Sequence, residues 1–432
     1  MVGDQEVLDV VVVGAGLAGL ACAYEVAKSG LQVAVVERGD APGSKNLSGG
    51  RLYLGPLNSV AGDLLSDLPY EREIVSEALI FTDDNSSLTM QSDRTPYDQA
   101  PHSVSVLRSQ IDPYLAQKVE EAEGFILPQQ RVDSLIQEDM RVKGVKIGSD
   151  ELLADVVVAA DGVLSFLAQD LGLQQERTSG SYGLGIKEVI SLDSQVIEDR
   201  FQLQPGQGAA RLFMGQVTQG LPGGGFLYTN KDSLSVGIVI HMESIQKSNL
   251  DVEAWQILEK FKKRQDVAPV LAGGSIVEYG AHLIPEGGFK AMPNIGCSGL
   301  LLVGDAAGLV VNSGMTLRGM DFALASGILA GKSIVKAKEN EAIEKVEENY
   351  KQALEKSFVY NEMKTFQKAP EVLKIDRLYT SYAPGLVRWG SGLFEIGDNG
   401  RSTTPWQAGK KLFSTFGWQG IKDIWRILRM GR

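Results

Sequence analysis

The chain has 432 residues, 44% of them hydrophobic, enough to bury a large core and to build two or three domains or interleaved subdomains. Its formal net charge of -12 provides no global positive field to release counterions from phosphates, which argues against nucleic acid as the main partner. Cys22 and Cys297 are its only cysteines, so this chain alone builds neither a disulfide framework nor a four-thiolate iron-sulfur or zinc site, and the low cysteine use fits a reducing compartment.

The start, Met1 to Glu6, is acidic and runs straight into a strand, without the charged region and cleavage signal of a secretory peptide, so the chain is read as cytoplasmic. Residues 7 to 13, VLDVVVV, form a nearly pure β-branched run. Glycines follow, then an apolar-periodic stretch from Leu17 to Ser29, then a second strand, LQVAVVE. This is a βαβ unit with a right-handed crossover. Its turn reads Gly14-x-Gly16-x-x-Gly19, and Glu37 ends the second strand. In such a turn Gly14 permits the tight bend, Gly16 lets a pyrophosphate approach the backbone, Gly19 permits close helix packing, and the acid accepts ribose hydroxyls. A glycine triplet alone is only a tight turn; strand, helix and acid in register make it a nucleotide site.

From about residue 72 to 106 the texture is of short alternating segments, and Val106 to Gly124 returns to helical periodicity. A buried strand, ADVVVAADG, closes on Asp161 and Gly162, followed by Ser165. Between about 176 and 285 the segments SYGLGIKEVI, AARLFMG and SLSVGIVI alternate as antiparallel strands do, with a helical insert around Trp255 to Arg264. A further buried strand runs into GDAAG, with Asp305, then Gly314 and a long helix starting near Gly319. Each Asp at a strand end reads either as a turn or helix cap or as a partner for a ligand that comes close to the backbone. The run KAKENEAIEKVEENYKQALEK reads as a solvated helix laced with i,i+4 pairs. His102, His241 and His282 are scattered, without metal-ligand spacing. No run of about 18 apolar residues suggests a spanning helix.

From Pro405 onward Trp406, Phe413, Phe416, Trp418, Ile421, Ile424, Trp425, Ile427 and Leu428 interleave with Lys410, Lys411, Lys422, Arg426, Arg429 and Arg432. This suits a helix lying among anionic headgroups, and equally an amphipathic helix packed on its own domain or a partner.

With the early glycine turn, the middle Asp161-Gly162 and the late Gly304-Asp305 in this order, nearly the whole chain resembles the FAD-dependent oxidoreductases of the glutathione-reductase-like fold. These include para-hydroxybenzoate hydroxylase, geranylgeranyl reductases and electron-transfer-flavoprotein:quinone oxidoreductases. The strings KNLSGGRLY (Lys45 to Tyr53), PGGGFLY, HLIPEGG and LRGMDFALASG look like the FixC branch of the last group. The fold class implied is α/β. A Rossmann-type FAD-binding domain (1-75, 101-175 and 286-335) interleaves with a mixed α+β substrate or quinone domain (76-100 and 176-285), and a helical C-terminal region (336-432) follows. The resemblance implies FAD held by Gly14, Gly16, Glu37, Asp161, Gly162, Asp305 and Gly314, with Gly19 packing the turn and Arg108 near the flavin. It also implies backbone contacts from Gly223 and Gly224 to a quinone carbonyl, although glycine there equally suits a bulge before a strand. Chemistry resides on the flavin, so no catalytic side chain and no metal ligand is assigned.

The fused members of the family carry a cysteine-rich ferredoxin domain that two cysteines cannot supply. The FixC branch uses a separate small ferredoxin-like subunit, and the resemblance implies one here, together with a two-subunit electron-transfer flavoprotein as donor. The implied location is cytoplasmic, peripheral on the inner face of the cell membrane. Rival readings are a geranylgeranyl-reductase-like enzyme acting on an isoprenoid lipid, a flavin monooxygenase, and a non-catalytic FAD-binding assembly subunit. The absence of a second G-x-G-x-x-G unit disfavours direct reduction by NADH.

Overall fold

The β-branched run Val7–Val13 becomes the centre of a sheet because both of its faces are covered, leaving Val10, Val11 and Val12 with no exposure. The computed structural model describes residues 7–44, 49–95, 101–174, 178–248, 252–396 and 400–431. The initial Met1 to Glu6, Lys45 to Ser48 of the KNLSGGRLY string, and Arg432 lie outside the described residues.

Val33–Val36 and Asp150–Ala159 pair in parallel on either side of Val7–Val13, and the order continues to Phe125–Leu127 on one side and Leu300–Leu302 on the other. The helix Leu17–Lys28 makes the first crossover, and Met320–Glu339 packs along it. Their approach is close enough to require glycine: a Cβ on Gly327 would lie 2.1 Å from the Ala18 carbonyl oxygen, and one on Gly331 2.8 Å from that of Cys22. Helices with small residues at the seam bring their backbones together and hold the start of the first helix firmly on the sheet.

The second sheet runs in the order Ser275–Pro285, Tyr182–Ser191, Ser233–His241, Gly223–Thr229, Gln207–Gly215, Arg72–Thr82, Ser103–Val106, Gly50–Tyr53. Its pairings are antiparallel except Gln207–Gly215 against Arg72–Thr82. The expected helical insert is Ala254–Lys262, which buries Ile257, Leu258 and Phe261 on this sheet. Gly50–Tyr53 and Ser103–Val106, counted above with the nucleotide-binding part, hydrogen-bond to the second sheet. Their side chains Leu52, Val104 and Val106 nevertheless pack into the core of the first. They thus tie the two sheets together.

At that seam Arg72 is buried, and its guanidinium donates to the Asn230, Gln207 and Lys231 carbonyls, Ser194 and Glu198 at 2.6–2.9 Å. A buried charge is tolerated where every donor has a partner.

The charged run after Lys336 departs from the expected solvated helix. It breaks at Asn340–Lys345, and the second piece, Val346–Glu355, buries Val346, Tyr350 and Leu354. The apolar residues spaced four apart dock this helix, and the Tyr350 hydroxyl donates to the Leu302 carbonyl at 3.0 Å. Among the described residues no helix is long and apolar enough to cross a membrane.

Candidate active site

A cavity of about 910 Å³ is lined from both sheets and from the C-terminal helices. That is the upper end of ligand sites, which span roughly 300–1,000 Å³.

At one end stands the glycine turn. Gly14 has φ +106°, and a Cβ there would lie 2.4 Å from the Ala160 carbonyl oxygen. A Cβ on Gly19 would lie 2.1 Å from the Gly14 carbonyl oxygen, so glycine here sets how near the helix comes to the strand. Gly16 differs: the nearest atom to its Cβ position is an Arg108 guanidinium nitrogen at 3.9 Å, and the open side is the cavity. The helix N-terminus, Gly16 to Ala18, lines the cavity with its backbone donors and positive dipole end. Arg108, bound in two hydrogen bonds of 2.7 Å to the buried Asp112, adds a fixed cation there.

Glu37 also lines the cavity, but its carboxylate accepts from the Ala15 N–H at 2.9 Å and the Gly39 N–H at 2.6 Å. It therefore braces the glycine turn from the cavity wall. Asp161 lines the wall and receives the Leu167 N–H and the Ser165 hydroxyl, both at 3.3 Å. Burial pushes its carboxyl above the usual range, against the pull of those two donors. Gly162, Asp305 and Gly314 line the same cavity, and Gly314 at φ +81° donates to the Asn312 side chain at 2.9 Å.

The nucleotide-side residues singled out from sequence, Gly19 excepted as a packing position, thus share one cavity.

Gly223 and Gly224 border this cavity from the second sheet. Cβ atoms there would lie 2.2 Å from the Val239 carbonyl oxygen and 2.7 Å from that of Phe213. The sheet itself therefore requires glycine at both, whatever else they contact.

Sequence reasoning gave no role to several groups that the fold brings here. Lys187, Tyr228, His282 and Glu286 line the cavity. Burial pulls the Lys187 amine down to about 7, opposed by Glu278 and reinforced by Arg108. It also lowers His282, with Asp305 opposing and Arg108 and Lys187 adding to the drop. Burial raises Glu286, whose carboxyl accepts from the Asn312 amide at 2.9 Å, and raises the Tyr228 phenol. The one signal for Lys187 in the sequence is a charged pair, Lys187 and Glu188, inside the mainly apolar strand LGIKEVI. Among the described residues no cluster of side chains could hold a metal ion.

The far wall, Met363, Phe366, Ala369, Pro370 and Leu373, is apolar and comes from the C-terminal helices. Its outer side packs against Ile427 and Met430 at the end of the helix Pro405–Leu428. A dinucleotide-binding end with open backbone, a fixed cation and a carboxylate, joined to an apolar end, suits a flavin dinucleotide with a hydrophobic molecule beside its ring.

Comparison with known proteins agrees. Residues 7–211 match the FAD binding domain family and residues 182–284 the ETF-QO, ubiquinone-binding family. The chain is 42% identical over 397 residues to "Protein FixC" of Escherichia coli O157:H7, covering 91% of this chain and 92% of that protein. It is 41% identical over 381 residues to the "Probable electron transfer flavoprotein-quinone oxidoreductase YdiS" of Escherichia coli strain K12, covering 88% of each. A geranylgeranyl bacteriochlorophyll reductase-like protein of Thermoplasma acidophilum shares the fold, with a TM-score of 0.73 over 98% of this chain and 100% of that one at 22% identity. The α/β FAD-binding fold with a helical C-terminal region is therefore established, and the chain belongs to the FixC and electron transfer flavoprotein-quinone oxidoreductase family of FAD-dependent oxidoreductases.

Proposed function

We propose that this oxidoreductase accepts electrons from an electron-transfer flavoprotein and passes them to a membrane quinone, in complex with a separate ferredoxin-like subunit. The observation that carries this reading is the continuity of one cavity from the glycine turn to the apolar wall beneath the C-terminal helix. Bound FAD supplies the acceptance and release of electrons.

In this reading Gly16 and the helix N-terminus hold the pyrophosphate, Glu37 the adenosine ribose, and Arg108 the adjoining negative charge. Asp161, Gly162, Asp305 and Gly314 border the ribityl chain and the phosphates. Gly223 and Gly224 present backbone to the quinone headgroup, and Met363, Phe366 and Leu373 receive its apolar part. In the same reading 1-75, 101-175 and 286-335 form the FAD-binding part and 76-100 and 176-285 the quinone part, with Gly50–Tyr53 and Ser103–Val106 as the link between them.

Two features support the partner set. The chain's two thiols cannot ligate an iron-sulfur cluster by themselves, so a cluster requires another subunit. The helix Pro405–Leu428 leaves Trp406, Trp418, Trp425 and Leu428 exposed beside lysines and arginines, which suits the face of an anionic membrane. The test is a flavin cycle: the absorbance should bleach with a reduced electron-transfer flavoprotein and recover with a quinone analogue. A flavin that reduces but ignores quinones while acting on an isoprenoid double bond would favour the reductase alternative, and one that never cycles would favour an assembly role.

A further inference from the structure

Lys187 sits in the middle of the strand Tyr182–Ser191, and its partners across the two ladders are Gly237 and Gly280. Neither carries a side chain, so neither opposed residue crowds the lysine stem. The side chain is buried, lines the cavity and donates to the Gly49 carbonyl. Gly49 is fixed in turn: it has φ +77°, and a Cβ there would lie 2.1 Å from the Ser235 hydroxyl oxygen. The charged groups that act on the amine are Glu278 and His282 from the strand Ser275–Pro285 and Arg108 from the helix Arg108–Glu121.

With the dinucleotide end of the flavin on the Gly14 to Gly19 turn, the second sheet faces the ring end. We propose that Lys187 balances the charge of the flavin ring, stabilising the negative charge gained on reduction and taking up a proton together with it. A ring that gains two electrons and one proton carries one more negative charge than before. The amine gains one proton from solvent, an N–H bond forms and no other bond to Lys187 changes, so charge is conserved within the cavity. The electrons come from whichever donor reduces the flavin. An amine that burial already holds near neutrality can change state in the neutral range, as an ordinary lysine cannot.

This inference rests on FAD occupying the cavity, and not on the identity of the donor or of the quinone. Its test is a redox titration of the FAD-loaded full chain with dithionite and indicator dyes, from about pH 6 to about pH 9, the range between ordinary histidine and cysteine values and just beyond. Lys187→Met and Lys187→Arg are measured beside the wild type. The wild type should take up more than one proton per electron pair across part of this range. Lys187→Met should have a lower midpoint potential and take up one proton per pair throughout. Lys187→Arg, permanently charged, should keep the higher potential while also taking up only one.

If Lys187 served only to hold Gly49, both variants would shift or lose flavin alike and the proton count of the flavin-bearing protein would not change, which would overturn the proposal. A Lys187→Met protein with wild-type potential and wild-type proton uptake would also overturn it. A wild type without flavin absorbance would sink the cofactor assignment itself, and is seen before any potential is measured.

Discussion

The three glycines of the first turn are glycine for different reasons, and this makes their substitutions separable. A methyl group on Gly14 or Gly19 meets a carbonyl oxygen inside hard-contact distance, whereas on Gly16 it meets only the edge of Arg108. Gly14→Ala and Gly19→Ala should therefore destabilise the protein with or without FAD, by about 1–3 kcal/mol as overpacking typically does, and more at Gly14 where φ is also positive. Gly16→Ala should leave the apo-protein's melting temperature unchanged and, if the pyrophosphate lies where we propose, reduce FAD retention at least tenfold, because the methyl group would project into that space. Thermal melts of apo and FAD-loaded protein, with flavin release on dilution, check both. Glu37 combines the two kinds of role, since its carboxylate holds the Ala15 and Gly39 amides. Glu37→Ala should weaken FAD retention and also cost the apo-protein about 1.5–3 kcal/mol, the usual scale for hydrogen bonds to a charged group. An unchanged apo melt would show that Glu37 braces nothing.

Among the elements, the C-terminal helix Pro405–Leu428 shows how a sequence pattern can support two readings at once. Its aromatic residues alternate with basic ones at helical spacing, which fits both a membrane face and a docked helix. A break at Gly417, φ +55°, divides it into two pieces. Phe416, Ile427 and Met430 pack on the protein, while Trp406, Trp418 and Trp425 do not. No periodicity in the sequence signals which residues face which way, because the break changes the phase and the receiving surface comes from distant residues. The strands Val7–Val13 and Asp150–Ala159 were legible for the opposite reason: continuous β-branched runs have one solution when both faces are covered. The second-sheet side of the cavity was the least legible part, since Lys187 and His282 come from separate strands and acquire chemical meaning only when pairing sets Lys187 opposite Gly280, two residues from His282.

The second piece of the C-terminal helix is fastened by Asp423, buried and accepting from Tyr382 at 2.7 Å and from Arg377 at 2.8 and 3.0 Å. Burial alone would raise this carboxyl, but the Tyr382 and Arg377 hydrogen bonds prevail and hold it below the usual range. A group depressed by folding contributes stability above its unfolded value, roughly pH 4, and loses it as pH falls through the folded value. Protection of residues 418–428 from hydrogen exchange, taken relative to the intrinsic rate at each pH, should therefore be high at neutral pH and fall below about pH 4. Asp423→Asn should show low protection at neutral pH as well.

For the whole molecule, the acidic chain carries an exposed basic and aromatic element next to the apolar end of its cavity, and each of these features makes a separate demand on the partner set. The isolated chain should show flavin absorbance and no iron-sulfur signal by electron paramagnetic resonance after reduction; stoichiometric iron on this chain alone would contradict the need for a separate subunit. The membrane assignment is tested best without deleting the helix, because removing Asp423 and Ile427 would also take away the packing behind the cavity's apolar wall. Trp418, Trp425 and Leu428 are 79%, 57% and 65% exposed, so replacing all three with serine should leave the melting temperature almost unchanged. Binding to anionic vesicles should fall at least tenfold, since the apolar area that would enter the interface is gone. Added salt should weaken wild-type binding without abolishing it, because screening removes the contribution of Lys410, Lys411 and Lys422 and leaves that of the tryptophans. Turnover with a long-chain quinone dissolved in the bilayer should slow in proportion to vesicle binding. Turnover with a short, water-soluble quinone should hold, because Gly223, Gly224 and the flavin end of the cavity lie apart from the substituted residues. A helix that serves only as a dock for a protein partner predicts a different pair of results: vesicle binding unchanged, and equal loss with both quinones once the partner is present. That outcome would remove the membrane from the proposed route and leave the flavin chemistry intact.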